Sequence, residues 1–312
     1  MPSQSAAPSS PRAPKAAGLP RPTRGRALAW AATVVVLWGV SFPVSRVAVR
    51  EIPPLALATG RFTLAAALLW PAARRRGLEL SRRDLPAAIL LGLFGVTLYF
   101  AFENYGLVFT TASHASLIVA TVPLGSALVE AVRRRRMPRG AVLGGMALAA
   151  AGVCLIVRPG AAAPRSLLGD ALVAGAMAAW VAYTFLAKDL MARYPALLVT
   201  AATMAAGAAL LLPLAVVESF FVPLHSPSPF ALASLAYLGL LCSAAGYLLW
   251  NLALPALGVS VANNLLNGIP LVSVLTAVLA LGEPFTATIV VGGALILAGV
   301  VLVERAEPAR GE

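Results

Sequence analysis

Leu143 to Val157 reads LGGMALAAAGVCLIV, and Ile289 to Val303 reads IVVGGALILAGVVLV. Neither stretch carries a charge, and each is apolar all the way round instead of in alternation. Strands of outer-membrane barrels alternate apolar and polar residues over about ten positions, so both stretches are read as helices. As helices they have no polar face to offer to water. A shift of 147 residues brings Gly145 onto Gly292, Leu148 onto Leu295, Gly152 onto Gly299 and Val153 onto Val300. Without a gap, the same shift places Asn104 on Asn251, Ala115 on Ala262, Pro123 on Pro270, Ser126 on Ser273 and Leu128 on Leu275. Farther upstream a shift of 142 pairs Trp38 with Trp180 and Arg46 with Lys188.

Working outward, apolar runs of spanning length fall at about 27–49, 54–73, 85–107, 112–132, 140–157, 169–190, 196–217, 230–253, 259–281 and 286–303. At about 20 residues per crossing, these ten runs use about 200 of the 312 residues. Hydrophobic residues make up 60% of the chain, against roughly 45–50% for a soluble domain. The expected fold is therefore an all-α polytopic membrane protein with ten transmembrane helices in two inverted five-helix repeats. Because five is odd, the second copy enters the membrane from the opposite side, the arrangement that lets one central site open to either face in transporters. Duplication kept only for packing is the plainer alternative.

Three segments follow: a tail at 1–26, a first repeat at 27–157 and a second at 169–303. The tail holds six prolines, four serines and five Lys/Arg with no carboxylate, a composition that cannot bury enough surface to order itself. It reads as a disordered cytoplasmic tail, with an organellar transit peptide as the minor alternative. The run from Ala27 to Val49 is too long for a secretory signal core and lacks a small-residue cleavage pattern. Cys154 and Cys242 lie inside predicted spans without ligand spacing and read as packing residues.

The formal net charge of +12 is explained by placement. With the tail inside, cytoplasmic segments hold five basic residues in the tail, five at Arg74 to Arg83, five at Arg133 to Arg139, Lys188 with Arg193, and two after Glu304. That is 19 of 24, so the positive-inside rule puts both termini in the cytoplasm. A nucleic-acid partner would need a basic soluble domain with interleaved aromatics, and the sequence has none. The partners expected are the lipid bilayer, a small-molecule substrate and protons as candidate coupling ion; the sequence leaves the oligomeric state open.

Leu37-Trp38-Gly39-Val40-Ser41-Phe42, Arg61-Phe62, Glu103-Asn104-Tyr105-Gly106-Leu107, Thr110-Thr111-Ala112-Ser113, Pro123, Pro270 and Leu281-Gly282-Glu283, in this order, resemble the EamA branch of the drug/metabolite transporter superfamily. The resemblance spans about 27–303. It implies a ten-helix inner-membrane carrier, typically an exporter of amino acids or other small metabolites, with a cavity formed by the first four helices of each half. One departure is Arg133 to Arg136, where the family often has a second Gly-Glu pair.

Polar groups inside a bilayer are costly and become functional candidates, although many only join helices by hydrogen bonds. Glu103 either faces a dry cavity as a proton carrier or is solvated at the headgroup level. His114 is either a proton relay or a satisfied interfacial residue. Asn104 and Asn251 are equivalent amides and candidate substrate contacts. Asn263 and Asn267, four residues apart, share a helix face, with Asn264 turned away; they bind a polar substrate or form an interhelical network. Trp38, Trp180, Tyr183 and Tyr247 are candidates to stack on an apolar substrate portion, or else pack. Pro123 and Pro270 are candidate hinges. Arg61 must be paired or face water, as a structural partner or a substrate contact.

An enzyme is not expected: the sequence has no metal cluster, phosphate-cradling glycine loop or catalytic triad pattern, and no cofactor is implied. Transport without an ATP site must be facilitated or ion-driven. The competing reading is a non-transporting membrane module or lipid-carrier flippase subunit, which a lateral opening lined by basic residues would favour.

Overall fold

The computed structural model describes residues 22–135, 140–157, 165–223, 226–257, 265–266 and 268–306. Residues 1–21 of the expected tail lie outside them, as do Asn263, Asn264 and Asn267; Pro123 and Lys188 are described by backbone only.

Helix starts follow from local chemistry. Thr23 opens α1 (Arg24–Ala48) by accepting the Arg26 N–H at 3.4 Å. Thr111 opens α4 (Ala112–Val119) by accepting the His114 N–H at 3.1 Å. Ser81 does the same ahead of α3 (Arg82–Phe109). Each hydroxyl satisfies a donor that a helix's first turn leaves free. α2 (Pro54–Arg75) and α8 (Ala196–Ser219) instead follow Pro53 and Pro195, which stand 142 residues apart.

α5 (Val122–Arg134) starts after a break at 120–121, and Pro123 occupies its first turn, where a missing N–H is tolerated. α6 (Gly140–Val157) and α7 (Arg165–Met191) follow. α9 runs from Pro229–Ala236 through a π-helical stretch, Tyr237–Gly246, to Tyr247–Leu257. α10 (Gly268–Leu281) and α11 (Ala287–Ala306) close the chain.

A second π-helical stretch, Leu93–Leu98, interrupts α3. Adding 147 to its bounds lands inside the stretch in α9. Single π-turns of this kind are rare and concentrate at functional sites.

Packing follows the small residues. α6 lies along α11, where a Cβ on Gly152 would stand 2.5 Å from the Gly292 carbonyl oxygen. One on Gly299 would stand 2.4 Å from the Gly145 carbonyl oxygen, so the two contacts exchange under the 147-residue shift. α2 packs on α8 and α3 on α7, around a core that includes Phe62, Leu69, Val96, Phe100 and Met204.

The outside is apolar: Val36, Leu68, Leu128, Leu212, Leu271 and Leu279 are all exposed. A soluble protein would bury such residues, whereas lipid accepts them. Among the described residues there is no strand, and seven helices are long and apolar enough to cross a membrane. Three shorter apolar helices, Gly140–Leu155, Gly268–Leu281 and Ala287–Leu302, accompany them.

Candidate functional site

A cavity of about 140 Å³ lies where α1, α2, α3, α4, α5, α7, α9 and α10 converge. Its wall is aromatic. Trp38 meets Trp180 at 6.4 Å between ring centroids and an interplanar angle of 83°. Tyr247 sits 5.3 Å from Trp38 and 5.9 Å from Trp180, and Tyr99 lies 5.3 Å from Trp180. The three contacts among Trp38, Trp180 and Tyr247 are edge-to-face, a geometry that matches the ring quadrupoles. The Trp38 Nε1 donates to the Cys242 carbonyl oxygen at 3.1 Å, in the π-helical stretch of α9.

Two charged groups enter this apolar setting. Arg61, on α2, donates from Nε to the Ser243 hydroxyl at 3.0 Å. Its guanidinium carbon stands 4.4 Å from the Phe100 ring centroid and 5.2 Å from that of Phe62. Cation–π contact of this kind is strongest where water is excluded, and Arg61 is only 2% exposed. Its Nη1 is buried with no hydrogen-bond partner. Glu103, on α3, lines the same cavity at 3% exposure, together with Arg61 and Tyr99.

Of the residues singled out from sequence, Trp38, Arg61, Glu103, Trp180, Tyr247 and Pro270 line the cavity. Tyr183 stands behind Trp180 at 5.0 Å and is not part of the lining. Asn104 is fully buried and donates to the Pro54 carbonyl oxygen at 2.9 Å; Asn251 donates to the Thr200 hydroxyl at 2.7 Å. Both amides therefore stand away from the cavity and tie neighbouring helices together. His114 lies 3.6 Å from the Asp170 carboxylate, which also accepts the Thr110 hydroxyl at 2.5 Å, linking α4 to α7. Cys242 is buried and Cys154 exposed, both as free thiols.

Two carboxylates take roles that the sequence did not assign them: Glu218, which was not singled out, and Glu283, which figured only within the Leu281-Gly282-Glu283 motif. The Glu218 carboxylate accepts the Leu55 and Ala56 N–H groups at 3.0 Å and the Tyr105 hydroxyl at 2.6 Å, capping α2 from the end of α8. Glu283 accepts the Ala112 and Ser113 N–H groups at 2.9 and 3.2 Å and the Ser113 hydroxyl at 2.6 Å, capping α4. A carboxylate at a helix N-terminus is favoured by the helix dipole. Proline-led or Thr-led helix starts were the available signal, but their distant caps are not visible along the chain.

Outside the spans, Glu51 accepts the Ser228 N–H at 2.8 Å and hydroxyl at 3.0 Å, and these bonds hold its carboxyl below the usual glutamate range. Tyr194 donates to Asp84 at 2.6 Å, which raises its pKa because the ionised phenolate would lose that bond.

Fold and cavity together define a multi-pass helical membrane protein with a central polar-aromatic site. The chain matches the EamA-like transporter family twice, over residues 25–158 and 167–305, and it belongs to that family. A "Probable terminal-alkyne amino-acid exporter" of Streptantibioticus cattleyicolor is 36% identical over 281 residues, 88% of this chain and 93% of that protein. A "Probable amino-acid metabolite efflux pump" of Escherichia coli is 27% identical, with 85% and 90% of the two chains covered. A solved crystal structure at 22% identity superposes with a TM-score of 0.64 over 90% of this chain and 96% of that one, and shares the fold.

Proposed function

We propose that this protein is a secondary transporter that exports amino acids or similar small metabolites by alternating access of the central cavity. The single observation that carries the reading is the meeting of Trp38 and Trp180 at one wall, because these two rings occupy equivalent positions in the two copies of the repeat. A site built at the junction of near-equivalent halves can be exposed to either side when the halves exchange arrangements.

The topology proposed is ten crossings, seven of them the long apolar helices and three the shorter ones, in inverted repeats at 27–157 and 169–303. The matched π-helical stretches of α3 and α9 and the reciprocal glycine contacts of α6 and α11 support it. Basic residues concentrated in alternate loops support a topology with both termini in the cytoplasm. The names of the relatives favour amino acids and outward flux.

Glu103 is the proposed proton-coupling group, being a carboxylate held among aromatic rings and lining the cavity. In reconstituted Glu103→Gln, whatever substrate exchange remains should no longer depend on a pH gradient. A gradient dependence equal to that of the wild type removes Glu103 from the mechanism. His114, paired with Asp170 away from the cavity, is the lesser candidate. Pro270 beside the cavity and Pro123 at the start of α5 are the proposed hinges.

A further inference from the structure

We propose that Arg61 receives the carboxylate of the substrate, and that the substrate is a zwitterionic amino acid with an apolar side chain. The inference rests on the reading of the cavity as the transport site.

Arg61 is immobilised before any ligand arrives. Ser243 holds Nε, the Phe62 and Phe100 rings flank the guanidinium, and the side chain is almost wholly buried. Its Nη1 nevertheless has no acceptor. Leaving a buried charged donor unmade is expensive, so a site of this kind is completed by a ligand that brings the acceptor. A guanidinium fork matches the two oxygens of a carboxylate.

Glu103 narrows the choice. It lines the same cavity, close enough to interact with Arg61 but outside ion-pair distance, so one fixed cation and one carboxylate share one space. A phosphate dianion would be repelled by Glu103, and a simple amine would leave Arg61 unmatched. An amino acid satisfies both, its ammonium going to Glu103. Three of the hydroxyls that line the cavity are already donating within their own helices, that of Thr184 to the Trp180 carbonyl oxygen at 2.9 Å. Ser41 and Ser116 turn their hydroxyl protons onto the Trp38 and Ser113 carbonyl oxygens of their own helices, at 2.7 and 3.0 Å. What remains for the side chain is the wall of Trp38, Trp180 and Tyr247.

The test uses the purified full chain in detergent, with the thermal midpoint as readout and L-phenylalanine, L-leucine, their carboxamides and 2-phenylethylamine as probes. A ligand that binds the folded state raises the midpoint. Either amino acid should do so saturably, and its amide should need about 10- to 100-fold higher concentration, as for loss of a charge-assisted hydrogen bond. Ser243→Ala, which frees Nε while keeping the charge, should shrink that acid-to-amide ratio. Arg61→Lys, which keeps the charge but not the fork, should shrink it too. The proposal is overturned if amides or the amine stabilise as well as the acids, if neither acid stabilises, or if Ser243→Ala leaves the ratio intact. Counterflow in proteoliposomes separates the two readings. Amines or amides exchanging where amino acids do not would keep transport and remove Arg61, whereas discriminating binding without exchange would keep Arg61 and remove transport.

Discussion

The seam between α6 and α11 makes a substitution as small as Gly→Ala change sign within one helix. At Gly152 an added Cβ would lie 2.5 Å from the Gly292 carbonyl oxygen and 2.9 Å from the Ile296 nitrogen, both backbone atoms that cannot swing aside. Favourable carbon contacts fall at about 3.5–4.0 Å, so the helices would have to part by on the order of an ångström. Overpacking of this kind costs about 1–3 kcal/mol. At Gly144, on the same helix but facing outward, nothing lies within 4 Å of the added carbon. There only the helix-propensity gain remains, about 0.8–1 kcal/mol. That gain is common to both variants, so Gly152→Ala should be less stable than Gly144→Ala by about 1–3 kcal/mol. Unfolding by denaturing detergent in mixed micelles, followed by tryptophan fluorescence, reads the difference. Gly299→Ala should behave like Gly152→Ala, since its Cβ would meet the Gly145 oxygen at 2.4 Å and the Ala149 nitrogen at 2.7 Å. Equal stability of the Gly144 and Gly152 variants would refute the reasoning.

Other expectations follow from the caps, the pH-sensitive link and the cavity wall. Glu283→Gln weakens three bonds to the start of α4 and should lower stability by about 1–3 kcal/mol in the same unfolding assay; an unchanged transition would contradict the cap. Glu51 has a lowered folded-state pKa, so its contribution is present above its unfolded value and lost as pH falls through the folded one. Thermal midpoints of wild type and Glu51→Gln should therefore differ at neutral pH and converge in acid, below the ordinary value of 4.5. A difference that persists or grows in acid would remove the Ser228 bonds as its cause. Trp180→Ala should weaken substrate binding at least about tenfold through loss of stacking area while leaving the fold intact, read as a rise in the half-saturating concentration for exchange.

Periodicity and repeat arithmetic carried the helices and the aromatic wall, because both depend on which residue types recur at which spacing. Trp38 and Trp180 could be paired by a shift of 142 residues and do meet at the cavity. The amides could not be sorted this way. Asn104 and Asn251 look equivalent and intramembrane, yet each is taken up by a neighbouring helix, Asn104 by a carbonyl and Asn251 by a threonine hydroxyl. Whether a polar group faces a cavity or a helix seam depends on its rotation about the helix axis and on what stands opposite, and one strand of sequence holds neither. Arg61 shows the same limit in the other direction. Its depth in the span marked it as anomalous, but Ser243 lies 182 residues away and the Phe100 ring on another helix. Glu218 and Glu283 close helix starts across 163 and 171 residues, links formed only once the spans are assembled.

The most direct measurement is counterflow of a radiolabelled apolar amino acid, L-phenylalanine or L-leucine, into proteoliposomes preloaded with the unlabelled compound. Saturable uptake that depends on the protein, and that falls sharply in Trp38→Ala and Trp180→Ala without loss of folded protein, is the expected result. Uptake no greater than in empty liposomes, or uptake indifferent to both tryptophans, would contradict transport through this cavity.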